Sequence, residues 1–215
     1  CPSSQMRNFT LDPFWHSFMP AYQRSVGALT LCLSSLAIYL MMARTHKTAK
    51  HFVKYLILLQ SSITLVDVTF GFLSCPIFLF PAPGSLYNGI ICAWFGFSGH
   101  VALTAMMLSF SFMSISVLYC FHYKHASIKL MTGKNSISIT HRIYIRTALF
   151  AVLIVPGMMQ VFRYKNGETG PSFIKNNFPS LYYLFQNPDY HAWVYDPAVN
   201  VEYEIVFVLA TLFVS

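Results

Sequence analysis

Residues 68–123 read VTFGFLSCPIFLFPAPGSLYNGIICAWFGFSGHVALTAMMLSFSFMSISVLYCFHY and contain no Lys, Arg, Asp or Glu. A soluble core element rarely runs beyond about 25 uncharged residues, whereas two bilayer-crossing helices of about 20 residues each need a stretch of this length. Phe80-Pro81-Ala82-Pro83-Gly84-Ser85 stands mid-way, where the chain has to reverse. Extended by its flanks to His51 and His125, the segment is an apolar helix, a Pro-Ala-Pro-Gly turn, a second apolar helix and then His122-Tyr123-Lys124-His125. The fold class is set here: all-α, a polytopic membrane helical bundle.

The composition agrees. Of 215 residues, 55% are apolar and only 10% charged, against about 25% charged in soluble domains. The 14 Lys and Arg outnumber the seven Asp and Glu, but they sit in loops between apolar blocks. No basic patch with interleaved aromatics points to nucleic acid. The five cysteines have neither CxxC spacing nor His partners at metal-ligand intervals, which implies no bound metal or other cofactor. No cleavable signal segment precedes the first apolar block, and the chain opens at Cys1, not Met, which suggests missing sequence upstream.

Working outward, residues 1–24 form a polar and aromatic tail with a glycosylation sequon at Asn8-Phe9-Thr10. Phe14, Trp15 and Tyr22 suit an interfacial belt. Uncharged runs predict spans at about 25–43, 55–80 (kinked near Pro76), 87–121 and 143–162. A fifth, 201–215, has too little sequence left to cross, so the bundle is expected to be cut off in its fifth helix. The loops after the first and third spans hold nine of the 14 cations and no acid; the opposite side holds six of the seven acids. By the positive-inside rule those two loops are cytoplasmic, which puts the N-terminus, Asn8 and the Pro-Ala-Pro-Gly turn outside.

Within the spans Asp67 is the one acid. A lone carboxylate mid-membrane costs roughly 2.5–3.5 kcal/mol on insertion scales, so it is expected to face the bundle interior. There it serves as a polar hub, ion site or switch, or else as a neutral, hydrogen-bonded packing group. His100, near Gly96 and Gly99 in the outer half of the third span, is either a ligand contact or a satisfied interior histidine. The Ser residues at 109, 111, 114 and 116 suit helix–helix contact and cross-helix hydrogen bonds. His122, Tyr123, Lys124 and His125 close the third span, either as cations favoured by the helix C-terminus and the inner leaflet or as a coupling surface for a cytoplasmic partner. No nucleophile with a base, phosphate loop or carboxylate pair is present, so the reading is not an enzyme.

Several runs carry a resemblance: Cys1-Pro2; His51-Phe52-Val53-Lys54-Tyr55-Leu56; Asp67; Cys75-Pro76-Ile77-Phe78-Leu79-Phe80-Pro81 leading to Gly89; and Tyr119-Cys120-Phe121-His122-Tyr123-Lys124-His125. Together they resemble the nematode serpentine chemoreceptors of the Str superfamily, class I (Sri) first and class H (Srh) next. The likeness covers most of 1–162 and fades in the long loop after it. It implies a rhodopsin-like seven-helix receptor in the plasma membrane of sensory-neuron cilia. The implied function is odorant or pheromone detection, with a small-molecule ligand bound among the helices and a heterotrimeric G protein engaged at their inner ends.

Two departures accompany it. Tyr123 stands where such receptors carry an Arg in a Cys-Phe-x-Arg-Lys-His run. Residues 163–203 lack the Cys that usually bridges the top of the third helix, so Cys92 either pairs with Cys1 outside the cell or stays a free thiol. Two rivals to a receptor are a transporter or channel subunit, disfavoured by a single intramembrane Asp and no internal repeat, and an inactive receptor fragment.

Overall fold

The computed structural model describes residues 13–44, 50–79, 82–131, 142, 146, 170–186, 191–194 and 196. Apart from residue 146, the fourth and fifth spans expected at 143–162 and 201–215 lie outside the described residues. The first helix, α1, spans Pro13–Arg44. It starts well before Ser25 because the aromatic end of the tail is itself helical: Phe14 stacks on Phe18 at 5.2 Å and Phe18 on Tyr22 at 6.0 Å. Each is an i,i+4 pair that supports a helix, and Pro13 is tolerated in the first turn, where no intrahelical donor is needed.

Helix α2, Lys50–Val68, continues as a π-helical turn over Thr69–Ser74. The sequence reading carried this span to Phe80 with a kink at Pro76; the helix in fact ends at Ser74. Cys75, which precedes a proline and is therefore disfavoured in the α region, takes a left-handed conformation at φ 42°. Its N–H donates to Phe70 O at 3.1 Å, the i−5 pattern of a π turn. Pro76, lacking a donor, then opens a strand at the position where a strand tolerates proline.

That strand, β1 (Pro76–Phe78), pairs antiparallel with β2 (Gly84–Tyr87), placing Ile77 opposite Leu86. The outer edge of β2 pairs antiparallel with β3 (Ala192–Val194), with Ser85 opposite Trp193. The end of the uncharged turn, Gly84 and Ser85, thus belongs to a three-stranded sheet in the order β1-β2-β3.

After the sheet come α3, a single turn at Ile90–Ala93, and α4, Gly99–Met131. The third span was expected from Tyr87 to Phe121. Glycines at 89, 96 and 99 interrupt its start, and Gly96 has φ 65°, a conformation that costs glycine little. The helix then runs on to Met131, since neither Gly nor Pro occurs between Gly99 and Gly133. Between the spans and β3 lie α5 (170–177), a 3-10 turn at Pro179–Leu181 and α6 (Tyr183–Gln186).

Among the described residues three helical segments, Ser17–Arg44, His51–Ser74 and Gly99–Ile128, are long and apolar enough to cross a bilayer. α2 packs against both α1 and α4. At the sheet end α1 and the π turn come into backbone contact: a Cβ added to Gly71 would stand 3.1 Å from Gly27 Cα and 3.1 Å from Gln23 O. Small residues permit such close crossings where helices pack in lipid.

Among the described residues the larger of two buried clusters sits at the sheet end of the spans. Ile77, Leu79, Leu86 and Val194 of the sheet region meet Ile174, Leu181 and Leu184 of the long segment, with Met19 of α1 packed against them. The polar and aromatic loop of the sequence reading is therefore, in its described part, a folded cap. Gln23 Nε2 donates to Pro76 O at 2.9 Å and Arg24 Nη2 to Asn88 O at 3.1 Å, fastening α1 to that cap.

Candidate functional site

A cleft of about 340 Å³ opens between α2 and α4. Leu65, Thr69 and Leu73 line one wall; Ala105, Leu108, Phe112 and Ile115 line the other, with Ser109 and Ser111. Leu65, Thr69 and Leu73 follow one another at i,i+4, so one helical stripe faces α4. The cleft is apolar in spite of its hydroxyls. Thr69 Oγ1 donates to Leu65 O at 2.7 Å, Ser109 Oγ to Met106 O at 2.8 Å and Ser111 Oγ to Met107 O at 2.8 Å. Ser114 and Ser116 likewise donate to Phe110 O and Phe112 O of their own helix. The Ser row suits cross-helix bonds by its sequence; its hydroxyls instead bond back to the preceding turn, a partner always within reach in a helix. Bonds between helices come from other residues: Ser74 Oγ to Ala102 O at 3.1 Å, and Gln60 Nε2 to Ser34 Oγ at 3.1 Å.

Asp67 is half-buried, one residue before the end of α2. It lies seven positions after Gln60 and four before Gly71, on the stripe that those two residues direct at α1 through Ser34 and Gly27. That stripe is away from the cleft-facing one, so Asp67 belongs to the seam between α1 and α2.

His100 is fully buried beneath the cap and does not line the cleft. Its ring meets that of Trp193 at 4.8 Å and 49°. Tyr87, Cys92, Ala102, Leu103 and Met106 form a buried cluster beside this pair, with Trp193 packed against them. His191 O accepts from Tyr87 N–H at 3.2 Å, and a Cβ on Gly99 would lie 2.7 Å from that same oxygen. The start of α4 and strand β3 are thus in backbone contact, and His100 is the side chain that fills the joint.

Burial pushes the Cys92 thiol up to about 11. A raised thiol pKa keeps the thiolate, the nucleophile, scarce at neutral pH, and the thiolate fraction grows as pH climbs towards that value. A free Cys92 is expected to resist maleimide at pH 7 in the folded protein and to gain reactivity steeply above pH 9, while unfolding at pH 7 exposes it at once; mass spectrometry of the labelled peptide reads this. A bridge to Cys1 would show instead as a thiol that labels only after reduction. Cys1 and the sequon residue Asn8 lie outside the described residues.

At the opposite end of the spans, α2 and α4 are joined by aromatic rings. Tyr123 stacks on Tyr55 at 4.0 Å and 27°, and on Phe52 at 6.1 Å. Tyr119 meets Tyr55 edge-on at 4.9 Å. Lys124 Nζ stands 5.7 Å from the centre of the Phe52 ring, within cation–π range, and Cys120 Sγ donates to Tyr55 O at 3.3 Å. His122 and His125 are exposed. Of the four residues at this end, Tyr123 and Lys124 therefore hold α2, and the two histidines face outward.

Sequence reading did not single out Phe52, Tyr55 and Tyr119 as partners, although the spacings 52/55 and 119/123 place each pair on one helix face. Trp193 had no local signal, because its partner is 93 positions away in the chain. A double-mutant cycle tests the ring contact. Tyr55→Ala and Tyr123→Ala together are expected to destabilise the protein by less than the sum of the two single changes, with a coupling of about 0.5–1.5 kcal/mol in thermal or denaturant unfolding in detergent.

Among the described residues no group of three His, Cys, Asp or Glu stands close enough to hold a metal ion. Comparison with curated proteins and with solved structures finds no match. One family model matches, that of the serpentine type seven-transmembrane G-protein-coupled chemoreceptor Sri, over residues 11–215. With membrane-capable helices and nearly the whole length of the chain matched, this is a membrane protein that belongs to the Sri family of serpentine chemoreceptors.

Proposed function

We propose that this chain detects an odorant or pheromone and passes the signal to a heterotrimeric G protein. The observation that carries this reading is the apolar cleft between α2 and α4, whose walls continue as the same two helices into the Phe52–Tyr55–Tyr123 contact at the far end. A volume of about 340 Å³ lies at the small end of the range of ligand sites, about 300–1,000 Å³. With its hydroxyls committed to helix carbonyls, the cleft favours a small, largely apolar molecule over a charged one.

The π turn forms part of the wall through Thr69 and Leu73, so a bound molecule touches the least regular piece of α2. Movement of α2 against α4 would then be read at the inner end, where exposed His122 and His125 offer a coupling surface. Asp67, on the α1 seam, is the polar hub that resists the shift of α2. The tail with Asn8 and Cys1, the sheet and the cap face outside, the cation-rich loops face the cytoplasm, and the receptor resides in the plasma membrane of sensory cilia.

The test is expression in cells carrying a second-messenger reporter, exposed to volatile and apolar small molecules. A dose-dependent response that disappears when G-protein signalling is blocked supports the reading. Ion or solute flux through the reconstituted protein, independent of any G protein, overturns it.

A further inference from the structure

Trp94, Phe95 and Phe97 are large apolar side chains exposed at the sheet end: Trp94 is 81% exposed, Phe95 66% and Phe97 51%. Phe95 and Phe97 stack at 6.1 Å, so the group is ordered as a small aromatic foot between α3 and α4. The depth of this foot follows from the helices around it. From Lys54 to Ser74 the second span rises about 30 Å at about 1.5 Å per residue, the thickness of a bilayer's hydrocarbon core. Lys54, at one end, is a cation; Ser74, at the other, therefore marks the opposite edge of the hydrocarbon.

Backbone bonds carry that level to the foot. Gly89 N–H donates to Ser74 O at 3.0 Å, Ala93 N–H to Gly89 O at 2.9 Å and Trp94 N–H to Ile90 O at 3.0 Å. Only one helical turn separates Trp94 from the edge of the core. The Arg24 guanidinium bonds Asn88 O at the same level, which suits a charge at the headgroups and not inside the core. The third span begins at Gly99, two residues after Phe97, so the foot stands at the mouth of that span.

We infer that Trp94, Phe95 and Phe97 form an interfacial anchor that inserts into the bilayer at the boundary of headgroups and acyl chains, fixing the depth at which α4 starts. The indole is suited to this position because it pairs a large apolar face with an N–H donor that the ester and headgroup oxygens satisfy. A water-facing surface would leave three large rings solvated side by side, and a charged partner would find no opposite charge on the segment, since residues 68–123 carry none. The occupant is phospholipid.

The three tryptophans, Trp15, Trp94 and Trp193, make the test direct. The full chain carrying Trp15→Phe and Trp193→Phe is reconstituted in phosphatidylcholine vesicles, and the emission of Trp94 is followed with lipids brominated either high on the acyl chain or near its methyl end. Trp94 is expected to lose the larger part of its emission to the shallow bromines, less to the deep ones and little to aqueous iodide. Because Trp193 supports the cap, the same measurement is repeated as a difference between the unmodified chain and its Trp94→Phe variant: the quenched component should vanish with Trp94. Strong iodide quenching without bromolipid quenching would place the foot in water and overturn the inference. Protection from both quenchers would mean that another protein surface covers it, and would overturn it equally.

Discussion

Replacing Trp193 with Ala is expected to loosen the cap from the start of α4, with a loss towards the low end of the about 3–5 kcal/mol seen for core aromatics, since the indole is partly buried. The indole lies against His100, which is fully buried, and against the cluster of Tyr87, Cys92, Ala102, Leu103 and Met106. Its removal leaves a void that the neighbours cannot refill easily: β3 is held by its pairing with β2, and Gly99 already approaches His191 O so closely that no side chain fits between them. Stability in this region is local, so the change is best read by amide exchange. Protection should fall in 84–87 and 192–194 and remain in the middle of α2 and α4. Trp193→Phe, which keeps a ring against His100, should retain most of the protection. Equal loss of protection throughout the three spans would show that the cap is not an independent unit.

How much of this arrangement can be read from residues alone depends on how local its cause is. The absence of charge over 68–123 is a local property with a strict physical meaning, and the helical membrane bundle follows from it. Helix ends are less legible. The start of α1 at Pro13 depends on the Phe14–Phe18–Tyr22 stack, which a hydropathy count ignores because it scores each residue alone. The end of α2 at Ser74 depends on a π turn and a left-handed Cys75, and there Pro76 announces a break without stating its kind. The cap is least legible of all. Ala192, Trp193 and Val194 become a strand only because β2 offers an edge more than 100 residues earlier in the chain, and no short-range pattern encodes that pairing. For the site residues the same rule holds. Asp67 stands out as the one acid within the complete predicted spans, whereas the cleft exists only between two helices, and its apolar character emerges only once each hydroxyl is seen to bond its own helix.

The change that tests the proposed ligand site most severely is Ala105→Phe. Ala105 lies on the α4 wall of the cleft, with Leu108 and Phe112 further along the helix and Leu73 on the facing wall. A phenyl ring there fills much of a space of about 340 Å³ without adding charge or breaking the helix, since a TM helix accommodates phenylalanine readily. The ligand must then either displace the ring or bind elsewhere. Overpacking costs typically about 1–3 kcal/mol, and if that cost falls on the bound state the half-maximal concentration rises by roughly 5- to 140-fold, since about 1.4 kcal/mol is a factor of ten. A matched substitution, Leu118→Phe, adds bulk at a position exposed at the surface of the same helix and is expected to leave the response unchanged. Surface delivery of both variants is followed by antibody against an appended tag, so that failure to fold is separated from failure to bind. An Ala105→Phe receptor that reaches the surface and responds at the original concentration would remove the cleft from the mechanism, because a molecule sharing that space with a phenyl ring would have to pay for it in affinity.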